Sequence, residues 1–187
     1  MGCNNLFDEA KDKVFTPSGM RETGASRVKR INEAVSLLKG LIADDNADDN
    51  YHALLGVAYY FLLGDDITIS SEDVIYELNL ALNINRHNIY ALMYLAFQKF
   101  DDSCYGDALD LIEKTKINAD YQAVENWQRL KIEEIELSCR IFCNPKAVLA
   151  SEIVDFCEKM LASERDDRAP ILELLKALKI LELQCER

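Results

Sequence analysis

The chain has 187 residues, a net charge of −12, 49% hydrophobic residues and 29% charged residues. That length suits one domain with a real core. The acid surplus argues against nucleic acid or an anionic membrane as ligand, because a phosphate surface selects for Lys and Arg. The charge is uneven: residues 1–43 carry seven Lys and Arg against five Asp and Glu, so the acid excess lies downstream. The distribution permits a basic protein as partner.

With only seven Gly and three Pro, short loops and a helical chain are expected. Cys3, Cys104, Cys139, Cys143, Cys157 and Cys185 are scattered without a CxxC pair. No leader pattern and no apolar run of about 18 residues is present. A cytoplasmic protein with reduced thiols is the expectation.

In chain order, residues 1–23 read as an N-terminal segment and linker. Leu6, Phe7, Ala10, Val14 and Phe15 are apolar at helical spacing, and Thr16–Thr23 has the Pro, Gly and polar content of a linker. Gly2 and Cys3 would be the only support for a membrane-tethered adaptor. Leu6 stands where the myristoylation pattern wants Ser or Thr, so an unmodified N-terminus is expected.

Residues 24–187 read as a single helical-repeat domain. Ser26 is placed to cap a helix reaching Ala43, with Ile31, Ala34, Leu38 and Leu41 on one face. Asp44, Asn46 and Asp48 have calcium-loop spacing. However, Asp49 stands where the loop needs Gly and Leu55 where it needs Glu, so this is read as an acidic capping turn. Helices are expected at Tyr51–Leu63, at Asp73–Asn83 with Ser71 as cap, at Ile89–Phe100 and at Gly106–Lys116. Gly56, inside the first of these, costs about 1 kcal/mol against Ala, which implies a close helix–helix approach. One long helix, Asp120–Phe142, is expected to bury Trp127. Asn144-Pro145 reads as the start of another, with Leu149, Ile153, Phe156 and Met160 in line. In the last, Ile171–Cys185, Leu172, Ile180 and Leu183 fall on the side away from the main apolar face. Another helix of the same chain, or a homodimer through that helix, would cover them.

A repeat runs through this pattern. Val74, Leu78 and Ala81 recur 34 residues on as Ala108, Ile112 and Thr115. Ala34, Leu38 and Leu41 precede the trio by 40 residues, and Leu55 and Gly56 recur 40 residues on as Leu95 and Ala96. An insertion at Asp65–Asp73 accounts for the extra six. A fixed period in this range marks helical repeats. The clearest span is 50–122, followed by capping helices over 121–187.

Leu55, Gly56, Tyr59, Leu78 and Ala81, with Leu95, Ala96, Ala108, Ile112 and Thr115, make the helix pairs resemble the tetratricopeptide repeat. Arg86 and Asp120 stand where that family usually has Pro, and Lys99 where it has Tyr. The resemblance implies an all-α, right-handed solenoid of antiparallel helix pairs, about eight helices in all. It also implies a concave groove lined by Ala53, Val57, Tyr60, Tyr90, Met93, Phe97 and Phe100, of which Val57, Tyr60, Tyr90, Met93, Phe97 and Phe100 are the candidate partner-binding residues. In the free chain that groove is expected to be occupied by the chain's own Leu6–Phe15 segment or by the C-terminal helix, from which a partner would displace it. The Lys, Arg and Asn clamps by which some members hold a terminal carboxylate are replaced here by apolar and aromatic residues.

No catalytic constellation is found. His52 and His87 lack HExxH context, and there is no GxSxG motif and no phosphate-cradling Gly loop. The chain is read as a non-enzyme without cofactor or metal. The expected function is a non-catalytic protein–protein interaction module, an adaptor, scaffold or chaperone, binding a partner segment in an apolar groove. The alternative is an acidic inhibitor or immunity protein that neutralises a basic toxin or nuclease.

Overall fold

A computed structural model of the chain describes residues 3–15, 24–45, 47–144, 146 and 148–162. Among these residues there are eight α-helices and no strand. They are α1 (Cys3–Phe15), α2 (Gly24–Asp44), α3 (Asp49–Leu62), α4 (Ser71–Ile84), α5 (Ile89–Asp101), α6 (Tyr105–Lys116), α7 (Asn126–Cys143) and α8 (Ala150–Ala162). The all-α expectation holds for the described chain. The linker Thr16–Thr23 and the stretch carrying Leu172, Ile180 and Leu183 lie outside the described residues.

The chain divides into two compact units, Met1–Gln98 and Lys99–Arg187. In the first, α1 packs on α2, α2 on α3 and α3 on α4, and α1 also touches α3. The N-terminal helix therefore does not stand apart from the rest, because Ala10 and Val14 are buried on its inner face. It runs alongside α3 in the same direction: the Phe7 ring lies 5.4 Å from Tyr51 and the Phe15 ring 6.4 Å from Phe61. Lys13 Nζ donates to Glu33 Oε2 at 2.8 Å and ties α1 to α2.

The repeat frame predicts burial well. Ala34, Leu38, Leu41, Val74, Leu78, Ala81, Ala108, Ile112 and Thr115 are all buried. The one polar member, Thr115, satisfies its hydroxyl on the Leu111 carbonyl one turn back, at 2.8 Å. Gly56 meets the predicted close approach, since a Cβ there would lie 2.6 Å from Leu78 Cδ2.

Side-chain caps open α3, α4 and α5. Asp48 Oδ1 accepts the Asn50 N–H at 2.9 Å and opens α3. Ser70, rather than Ser71, opens α4: its hydroxyl accepts the Asp73 N–H while Asp73 Oδ2 accepts the Ser70 N–H at 2.9 Å, a reciprocal capping box. Asn88, buried, accepts the Ala91 N–H at 2.9 Å to open α5. Its amide nitrogen reaches Asp49 Oδ2 at 2.7 Å, and Asn85 Nδ2 donates to the same oxygen at 2.9 Å. The turn between α4 and α5 is thereby pinned to the first turn of α3. Gly64 adopts φ +83° just past α3, a left-handed conformation that favours glycine.

Several boundaries differ from expectation. Ser26 lies inside α2, which begins two residues earlier, at Gly24. The single helix expected over Asp120–Phe142 is a 3₁₀ turn, Ala119–Ala123, followed by α7. Asn118 accepts the Asp120 N–H at 2.9 Å and tightens that turn, and Val124 is extended. Trp127 is half-buried at the start of α7 instead of filling the core. Leu149 is exposed and precedes α8, while Val148 supplies the buried contact beside Ile153, Phe156 and Met160.

Candidate functional site

The candidate site is built on α3 and α5, with the last turn of α1 laid against them. Along α3, small and apolar residues stand at the inward positions apart from His52, and the helix is buried over most of its length. On α5, the run from Ala91 to Gln98 is buried throughout. Helices this apolar have no fully wet face, and the rings they carry meet one another.

Those rings form one connected cluster. Tyr94 is 1% exposed and sits at its centre. Its ring centroid lies 5.5 Å from Tyr60, 5.6 Å from Phe61 and 5.1 Å from Phe97, all in tilted or edge-on geometry. Tyr60 also approaches Phe97 at 6.3 Å. From α1, Phe15 stacks on Tyr90 at 5.5 Å and approaches Tyr94 at 6.4 Å. Lys11 Nζ lies 5.7 Å from the Tyr90 ring centroid, in reach of a cation–π interaction. Such ring pairs contribute about 0.5–1.5 kcal/mol each beyond the area they bury.

The sequence-derived candidates separate into three groups. Val57, Met93 and Phe97 are enclosed, at 0%, 0% and 2% exposure, so they present no surface to a partner in this conformation. Tyr60 and Tyr90 are half-exposed. Phe100 belongs to the second unit, where its ring lies 5.8 Å from Tyr105. Sequence reasoning missed Phe61 as a member of the face, and expected the Leu6–Phe15 segment there without singling out the Phe15 ring that meets Tyr90 and Tyr94. Phe15 and Phe61 are half-buried beside Tyr60 and Tyr90. Phe15 was legible as apolar and helical, but periodicity assigns a residue to a face without naming what that face meets.

Polar chemistry is arranged differently. His52 Nδ1 and Glu77 Oε2 are 2.7 Å apart between α3 and α4, with side chains only 8% and 15% exposed. This pair bridges two packed helices. His87 is on the surface beside Arg86, whose Nε donates to His87 Nε2 at 3.0 Å.

In the second unit, a cavity of about 310 Å³ lies where α6, α7 and α8 meet. Its cations are each engaged by carboxylates. Lys116 donates to Glu136 at 2.9 Å and Lys159 to Glu133 at 2.8 Å, while Arg140 grips Glu152 with two bonds of 2.6 and 3.1 Å. The Arg140 contact and the Leu149 N–H hold the Glu152 carboxyl below the usual range. Glu133 raises Lys159 in the same way. The arrangement locks three helices together and leaves little unspent charge for a ligand.

Burial, followed by the charge of Cys143, pushes the Cys139 thiol up to about 12. That is the opposite of what a nucleophilic cysteine needs. Among the described residues no group of three His, Cys, Asp or Glu side chains is placed to hold a metal ion. Nor is any described helix long and apolar enough to cross a membrane.

No protein-family model matches the chain, and no curated protein matches it at a significant level. The functional reading therefore rests on the residues themselves.

Proposed function

We propose that the protein is a non-catalytic interaction module built from tetratricopeptide-like helix pairs, and that it binds a segment of another protein across the aromatic face of its first unit. The observation that carries this reading is the half-exposed row Phe15, Tyr60, Phe61 and Tyr90, connected ring to ring and joined to the enclosed Tyr94 and Phe97. Rings fixed by their neighbours lose little freedom on binding, and Tyr and Phe are the residue types that dominate such contacts. A tyrosine adds a hydroxyl at the rim, which suits a face that is wet when free and covered when bound.

The repeat reading is supported by burial of all nine frame positions and by the Gly56–Leu78 approach. In that frame α1 and α2 form the first pair, and α1 takes the place of the groove-lining helix upstream of Ala34. The groove is consequently filled at one end by Phe15, and a partner uses the rings left at the surface.

Photo-crosslinking in the native host tests this reading. A benzophenone side chain at position 60 or 90 should capture one protein, whereas the same group at the exposed Lys114 should not. Equal capture at all three positions would overturn it.

A further inference from the structure

The interaction face leaves unexplained the outer side of α4, the helix that follows the insertion. Tyr76, Leu80 and Ile84 stand four residues apart on that helix and so share one face. Tyr76 is 61% exposed and Ile84 44%, with Leu80 half-buried between them. A single exposed apolar side chain is ordinary. A row of three, spanning about 12 Å at 1.5 Å per residue, is a surface.

The row is charged in opposite senses at its two ends. Glu72 and Asp73 precede it and Arg86 follows it, with no Lys or Arg between Gly64 and Asn85. Asp73 is engaged by Ser70 and has Lys39 of α2 near it. Glu72 is exposed at the start of the row and Arg86 is exposed beyond its end. The order acid, apolar, apolar, apolar, base is self-complementary when reversed.

We propose that α4 pairs antiparallel with α4 of a second copy of this chain. A twofold axis at Leu80 sets Leu80 against Leu80 of the second copy and Tyr76 against its Ile84. It also brings Glu72 toward Arg86 of the second copy, twice by symmetry. A parallel pairing would place Glu72 beside Glu72. Both charge contacts require a shallow crossing, about 20°, at which neighbouring helices stay close over several turns. One helix face is smaller than the roughly 800 Å² per partner of a standard stable complex, so the dimer dissociates on dilution. The inference shares no residue with the aromatic face and does not rest on it.

Sedimentation velocity on the full chain, over an approximately hundredfold range of concentration, tests the proposal. The wild type should pass from monomer to dimer. Leu80→Glu should weaken association about tenfold or more while the helical circular dichroism is kept. Glu72→Arg and Arg86→Glu should each weaken association, and the double variant Glu72→Arg with Arg86→Glu should restore it to within about threefold of the wild type. Because both charged residues are exposed, that charge swap remains decisive even if Leu80→Glu fails to fold. A monomer at every concentration, a dimer indifferent to Leu80→Glu, or a double variant no tighter than the singles would each overturn the pairing.

Discussion

Gly56 and Leu78 are fitted so closely that a Cβ added to Gly56 would lie 2.6 Å from Leu78 Cδ2, 2.7 Å from its Cγ and 3.2 Å from its backbone nitrogen. Leu78 is fully buried, so its side chain would have to shift within the packed core. Gly56→Ala gains about 1 kcal/mol of helix propensity, but overpacking costs about 1–3 kcal/mol. The expected outcome is a net loss of about 1 kcal/mol in urea unfolding. Shortening the neighbour should relieve it, so Gly56→Ala with Leu78→Ala should cost less than the sum of the two single changes. An additive pair would show that α3 and α4 move apart freely at this point.

The His52–Glu77 pair lies in the same helix contact. Glu77→Ala withdraws the carboxylate from Nδ1 in a site with little water, a loss of about 1–3 kcal/mol. Glu77→Gln keeps an acceptor within reach and should cost less. Equal losses for the two variants, read from chemical unfolding, would mean that packing and not the hydrogen bond accounts for the effect.

Acid should destabilise the fold through identifiable groups. Hydrogen bonds from Lys13 lower Glu33, those from Thr68 lower Asp66, and those from Ser70 lower Asp73, against ordinary values of 4.5 for Glu and 3.8 for Asp. A carboxyl lowered in the folded state contributes stability above its unfolded value and loses it as pH falls through the folded value. The melting temperature should therefore be flat from neutral pH to about pH 5 and decline below about pH 4. Asp73→Asn should reduce that decline. An unchanged slope would remove the capping box from the list of causes.

Thiol labelling separates the cysteines. Cys104 and Cys143 are exposed, whereas Cys139 and Cys157 are buried and raised by that burial. Under native conditions at pH 8, iodoacetamide should modify the first two and spare the second two until denaturant is added. Rapid native labelling of Cys139 would mean that α7 opens far more readily than its packing implies.

Much of the fold was legible because burial in packed helices leaves a period. The positions Ala34, Leu38 and Leu41, and their counterparts downstream, were identified by spacing and are buried. Local signals were read less well where two residues offered the same chemistry. Ser70 and Ser71 are both acceptable caps, and only Asp73, three residues beyond Ser70, decides between them. The break before α7 depends on Asn118 bonding to its own backbone neighbour, which an apolar pattern does not register. The candidate face was half legible. Tyr60 and Tyr90 were placed on the right helices, but the enclosure of Val57, Met93 and Phe97 depends on which rings meet in space. Phe15 and Tyr90 are 75 positions apart and stack at 5.5 Å. No local pattern encodes that contact.

The central claim is that Tyr60, packed against Tyr94 and Phe97, and Tyr90, stacked on Phe15, form the surface that a partner protein covers. Isothermal titration of the crosslinked partner, once purified, against wild type and Tyr60→Ser with Tyr90→Ser tests it most directly. Both tyrosines are half-exposed, so the double variant should keep its helical spectrum. The account predicts at least about a tenfold loss of affinity, the scale of removing anchoring aromatics from a binding face. Unchanged affinity in a folded double variant would contradict it.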